Sequence, residues 1–168
     1  MWKCINSQIE DNSDISLSAG NTGVLFVISK MLLKTIEGVS KPALAGIWPT
    51  KKGTSVVLDL GANIECDENN LVDFSEMGAA LYKSIFPNKK PYVSLLNIGS
   101  EEVKGTDIIK KAHSKLKSLS SDNNFIFNGY IEGNKIMDGN SNVIVTDGFS
   151  GNIALKTAEG TAKFITDR

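Results

Sequence analysis

Histidine is almost missing from this chain: His113 is the only one among 168 residues. It falls mid-helix beside a polar face and reads as a surface residue, so a histidine-based catalytic triad is not expected. Cysteine is nearly as scarce. Cys4 and Cys66 are far apart and neither belongs to a C-x-x-C pair, which excludes a metal knuckle or a disulfide framework and fits a reducing cytoplasm. Cys66 follows Ile64-Glu65 with no evident base, as a small apolar filler would. No charge of one sign prevails: 18 basic residues against 19 acidic leave a net charge of -1. A broad basic field for nucleic acid or an anionic membrane is thus lacking, and any anion site must be local.

Long hydrophobic runs are lacking too. Val24 to Leu33 is interrupted by Ser29 and Lys30 and is too short to cross a bilayer. Met1-Trp2-Lys3-Cys4 offers no signal-peptide pattern, so export is not expected. Neither G-x-G-x-x-G nor a P-loop occurs, which leaves nicotinamide and ATP without support; no cofactor and no metal are expected. Aromatic residues make up 7%, too few and too scattered for a nucleic-acid stacking platform; Trp2 and Trp48 read as packing residues.

What the chain does have is a repeated loop. Four times an apolar, strand-like run ends in glycine and asparagine: Ser18-Ala19-Gly20-Asn21-Thr22-Gly23, Asp59-Leu60-Gly61-Ala62-Asn63, Asn97-Ile98-Gly99 through Lys104-Gly105, and Asp147-Gly148-Phe149-Ser150-Gly151-Asn152. Glycine lets backbone N–H groups approach an anion, and a helix opening after the loop adds the positive end of its dipole. A negatively charged ligand is the expectation.

The runs Ile15–Ser18, Ala43–Ile47, Ser55–Leu60, Tyr92–Ile98, Phe125–Phe127 and Val143–Thr146 read as strands, several of them apolar enough to be covered on both faces. Asn69–Phe86 repeats Leu71, Phe74, Gly78, Leu81 and Ile85 at helical steps, and Thr106–Leu119 repeats Ile109, Ala112, Leu116 and Leu119 opposite Lys110, Lys111 and Lys117. A third helix is expected from about Asn152, with Ile153, Thr157, Thr161 and Phe164 inward; Ser118–Asn124 reads as a polar turn and Gly133–Ser141 as a loop or short helix. No linker is visible, and the length suits one domain, residues 1–168. Alternating strands and helices predict an α/β fold, a three-layer αβα sandwich with a mostly parallel sheet and ligands beyond the carboxyl ends of its strands.

Chemistry concentrates in the third and fourth loops. Lys104, between Gly99 and Gly105, can bind phosphate or stabilise charge developing on a carbonyl oxygen; the plainer reading is a solvated lysine opening a helix. Asn152 can cap a helix or donate its amide to an oxyanion, and the two roles are compatible. Ser18, Asn21 and Thr22 add side-chain donors beside Gly20 and Gly23.

These loops resemble the bacterial phosphate acyltransferases of phospholipid synthesis, the PlsX family. Ser18 through Gly23, Lys41-Pro42-Ala43, Leu58 through Asn63, Leu95 through Gly99, Lys104-Gly105 and Asp147-Gly148-Phe149 through Leu155-Lys156-Thr157-Ala158-Glu159-Gly160 resemble successive family motifs in order, over nearly the whole chain. Ser100 departs from the pattern, standing where the family often has an acid. The resemblance implies a fold related to the isocitrate and isopropylmalate dehydrogenases without their redox chemistry. It implies transfer of an acyl group from acyl carrier protein to inorganic phosphate, with Lys104 and Asn152 as catalytic residues. The phosphate-binding set would be Ser18, Gly20, Asn21, Thr22, Gly23, Gly61, Asn63, Asn97, Gly99, Gly105, Asp147, Gly148 and Gly151. It further implies a cytoplasmic homodimer with peripheral membrane contact in the intact form.

Met1-Trp2 resembles an interior point of the family and Arg168 a point inside a helix, so a partial domain is expected, lacking N-terminal strands and C-terminal helices. The competing readings are an inactive or partner-dependent fragment and another phosphate-handling enzyme, such as a short-chain phosphotransacylase.

Overall fold

The computed structural model describes residues 1–11, 13–119 and 124–167, and the chain resolves into two compact units, Met1–Pro42 and Ala43–Arg168. Most of the Ser118–Asn124 turn lies outside the described residues.

The first unit holds helices α1 (Trp2–Glu10) and α2 (Thr22–Leu32). The strand expected over Ile15–Ser18 is not there. That segment bonds back to α1 instead: Ser16 Oγ donates to the Cys4 carbonyl at 2.7 Å, and Ile15 and Leu17 are exposed. Trp2 is half exposed, against its expected packing role, whereas Ile5 is buried.

The second unit is an α/β sandwich. Its elements are β1 (Ala45–Thr50), β2 (Gly53–Leu58), α3 (Glu68–Ile85), β3 (Tyr92–Asn97), α4 (Asp107–Leu119), β4 (Ile126–Glu132), a 3₁₀ turn (Gly133–Asp138), β5 (Val143–Val145) and α5 (Gly148–Thr166). The sheet order is β1-β2-β5-β3-β4, parallel except for the β1–β2 hairpin. Apolar side chains alternate between its faces as the strand period requires. Val56, Leu58, Val93, Leu95, Val143 and Val145 join Leu71, Phe74, Ala112 and Leu116 of α3 and α4 in one core. Val57 and Ile144 face the other way, with Trp48, Leu60 and Ile136, against Ala154, Leu155 and Ala158 of α5. These two cores make the three layers.

The helices differ in detail from expectation. In α3, Leu81 and Ile85 are exposed, and Ala79 and Tyr82 complete the buried stripe. Gly78 sits where a Cβ would lie 2.5 Å from Val143, so α3 rides close on the sheet. The expected inner stripe of α5 is wrong: Ile153, Thr157, Thr161 and Phe164 are exposed, and the sheet is met by Gly151, Ala154, Leu155 and Ala158. Small residues win that face because the helix axis comes so near the strand ends. No helix among the described residues is long and apolar enough to cross a membrane.

Candidate functional site

Strands β2, β5 and β3 are parallel neighbours, so the loops after Leu58, Val145 and Asn97 emerge side by side at one edge of the sheet. This is the carboxyl edge where α/β sandwiches bind ligands. The Ser18–Gly23 loop belongs to the first unit and stands by itself. There Asn21 caps α2 by accepting the Val24 N–H at 3.1 Å, and Ser18 Oγ accepts the Gly20 N–H at 3.2 Å, leaving Thr22 and Gly23 in the first helical turn.

At the end of β2 the chain folds around its own carboxylate. Asp59 is fully buried, and its Oδ1 accepts N–H groups from Leu44 at 3.1 Å, Gly61 at 3.1 Å and Ala62 at 3.0 Å. Its Oδ2 accepts the Asn63 backbone N–H at 2.7 Å and the Asn63 side-chain amide at 2.8 Å. A buried carboxylate requires such partners. The backbone N–H groups of Gly61 and Asn63, expected as phosphate donors, point in this structure to Asp59. The signal for this was present in Asp59 itself, an acid closing an apolar strand just before a Gly-Ala-Asn turn, where aspartate bonds the amides that follow it.

The fourth loop is shorter than expected, because α5 opens at Gly148 and includes Gly151 and Asn152. Asp147 is the N-cap, taking the Ser150 N–H at 2.8 Å and the Ser150 hydroxyl at 2.9 Å. Asn152 is therefore not a cap. Its side chain lies over the second loop, where a Cβ on Gly61 would stand 3.3 Å from it. The Gly148 N–H donates to the Asn63 carbonyl at 2.8 Å, and a Cβ on Gly151 would run into the Asp59 carbonyl oxygen. Gly148 and Gly151 thus seat α5 against the second loop.

After β3, buried Asn97 clasps its own loop. Its amide nitrogen donates to the carbonyls of Gly99 and Lys104, both at 3.1 Å, and its Oδ1 is buried without a partner among the described residues. Gly105 adopts φ +96°, and a Cβ there would lie 2.5 Å from that Oδ1. Lys104 folds over Gly99 and pairs with Glu101 at 3.0 Å, with about half of each side chain exposed. The Lys104 hydrogen bond holds the Glu101 carboxyl below its usual range. Lys104 and Asn152 follow adjacent strands, so a half-exposed lysine and an amide side chain share one edge of the sheet. Together they can neutralise an oxyanion.

His113 is half-buried rather than on the surface. It packs on Phe127 and Tyr130 at centroid distances of 5.1 Å and 4.5 Å. Cys66 is a buried member of the core, as expected of a filler. Among the described residues no three histidine, cysteine or acidic side chains group to hold a metal.

Comparison with known proteins adds relatives and a fold. Residues 1–167 match the family described as fatty acid synthesis protein. The phosphate acyltransferase of Pelagibacter ubique (strain HTCC1062) is 60% identical over 166 residues, covering 99% of this chain and 50% of that protein. The phosphate acyltransferase of Brucella canis is 49% identical over 97% of this chain and 47% of its own length, and that of Rhizobium etli 46% identical over 99% and 48%. The chain spans about half the length of the curated relatives it matches. In structure it is similar to the EutD phosphotransacetylase from Staphylococcus aureus, with a TM-score of 0.71 at 18% identity over 96% of this chain and 55% of that one. A phosphotransacetylase from Streptococcus pyogenes gives a TM-score of 0.70 at 17% identity. At these identities the likeness speaks for the fold.

Proposed function

The chain belongs to the fatty acid synthesis protein family, and from that membership we propose that it is the central part of a phosphate acyltransferase. The reaction takes an acyl thioester of acyl carrier protein. A phosphate oxygen attacks the thioester carbonyl carbon, and the carbonyl electron pair moves onto oxygen. When it returns, the carbon–sulfur bond breaks, giving acyl phosphate and the carrier thiolate, which takes up a proton. Phosphate is the nucleophile and a thiolate leaves readily, so the step calls on neither a serine or cysteine nucleophile nor a histidine base. What it calls on is orientation and charge neutralisation.

The observation that carries this reading is the Asn152 side chain, relieved of capping by Asp147 and held over Gly61. Its amide is the oxyanion donor, and the Lys104 ammonium, swinging away from Glu101, neutralises phosphate or oxyanion. Asn97, Gly99 and Gly105 shape the lysine loop; Asp147, Gly148 and Gly151 seat the asparagine. The donors of Ser18, Asn21 and Thr22, with Gly20 and Gly23, are a phosphate-binding loop in their own unit. In intact form the protein is a cytoplasmic homodimer with peripheral membrane contact, working without a metal or nucleotide.

The test is a chimera in which this chain replaces the matching half of the Pelagibacter relative, assayed for acyl phosphate formation from acyl carrier protein thioester and phosphate. Turnover supports the reading; a folded, silent chimera overturns it. A second reading, a fragment inactive alone, is favoured by the half-length match and by α2, which buries none of its residues. Assay of the chain alone against the chimera separates the two.

A further inference from the structure

At the opposite end of the second unit, beneath the amino ends of β2, β3 and β5, a cleft of about 700 Å³ opens. Its size is that of a small-molecule site. Lys52, Lys89 and Lys90 line it, and no acidic residue does. Six lysines elsewhere, Lys51, Lys104, Lys115, Lys117, Lys135 and Lys156, each hold a carboxylate within 3.3 Å. Among the described residues the three lysines of the cleft hold none. Asp138, whose field reaches Lys52, is already bound by Lys51 at 2.7 Å.

The floor of the cleft is built, not incidental. Tyr82 is 3% exposed, and its oxygen accepts the Asn142 side-chain N–H at 3.0 Å. Asn142 cannot turn around, because its Oδ1 accepts the Tyr92 N–H at 3.0 Å while its backbone bonds Tyr92 and Val56, both at 2.8 Å. The Tyr82 hydroxyl hydrogen therefore has no acceptor among the described residues and is left to donate to whatever occupies the cleft that Tyr82 lines. Burial raises the Tyr82 pKa, so the phenol keeps its proton. Lys52 Nζ donates to Asn140 Oδ1 at 2.6 Å, fixing one cation at the rim.

We infer that this cleft binds a small phosphate-bearing molecule, with Lys52, Lys89 and Lys90 supplying charge and Tyr82 a hydrogen bond. Lysines are point charges suited to a phosphate dianion. The site is separate from the carboxyl-edge loops, and the inference does not rest on the acyltransferase reading.

The experiment follows amide chemical shifts of the full chain at low salt during titration with inorganic phosphate and, separately, with AMP. Saturable shifts at Tyr92, Asn140 and Asn142 are expected, weakened about tenfold in Lys89→Ala/Lys90→Ala. Those two lysines are exposed, so the variant keeps the fold; Tyr82→Phe should weaken binding with the melting temperature monitored alongside. Shifts near Lys104 report the other edge and should persist in both variants. AMP binding more tightly than inorganic phosphate assigns an organic phosphate, and equal binding assigns the free anion. Absent, non-saturating or variant-independent shifts at the cleft would overturn the site.

Discussion

Gly61 lies directly beneath Asn152: it holds φ +125°, a conformation that side-chain-bearing residues rarely adopt, and a notional Cβ would crowd the Asn152 Cβ and Cγ at 3.3 Å. Gly61→Ala should therefore cost about 1–3 kcal/mol in urea unfolding, and in the chimera it should lower turnover by displacing the amide. Unchanged stability together with unchanged turnover would show that the two residues do not depend on each other.

Lys104→Ala and Asn152→Ala, introduced singly into the chimera, should each reduce turnover by about 10² or more. Circular dichroism should not change, since one side chain is half exposed and the other exposed. Rates at the parental level would remove both residues from the reaction.

Asp59→Ala leaves five hydrogen-bond donors in a buried turn without their acceptor. Each such loss is costly, and the sum should exceed about 3 kcal/mol in denaturant unfolding. Asp59→Asn should fall between, because one amide oxygen can keep the donors on one side only. Near-parental midpoints for Asp59→Ala would contradict the buried cradle.

Burial depresses the pKa of His113 below 6.5, with Glu102 opposing the shift and Lys117 adding to it. Below 6.5 the unfolded chain then binds a proton that the folded chain resists, so stability falls with acidification until the folded pKa is passed. Thermal melts across this range should show wild type losing more stability than His113→Phe. Parallel pH profiles would deny the effect, and at neutral pH turnover of His113→Ala in the chimera should be near parental.

The sheet and the helices over it were legible because burial on both faces leaves continuous apolar runs, as in Val56–Leu58 and Val143–Val145, and because α3 and α4 repeat at helical spacing. Edge strand β4 was read too short: Asn128, Gly129 and Glu132 interrupt its apolar residues, and a broken apolar run is a weaker signal. Ile15–Ser18 has strand composition, but a strand exists only with a partner, and composition does not reveal partners. The inner face of α5 was expected at Ile153, Thr157, Thr161 and Phe164, whereas the near approach to Asp59 turns Gly151 inward, with Ala154, Leu155 and Ala158 on the same face. The positions of Lys104 and Asn152 followed from loop order; the diversion of Gly61, Ala62 and Asn63 to Asp59 did not, because an internal carboxylate and an arriving anion ask for the same glycine-rich turn.

That internal carboxylate also sets a clock. Amide protons in a surface turn ordinarily trade with solvent deuterium almost as fast as in an open peptide, whereas those tied to buried acceptors wait for an opening event. Gly61, Ala62 and Asn63, each donating to Asp59, and Gly148, donating to Asn63, should retain their protons as long as the strand amides of β2 and β5 do. The carboxyl edge would then contain a slow-exchanging island beside the faster-exchanging, solvent-exposed residues around Lys104.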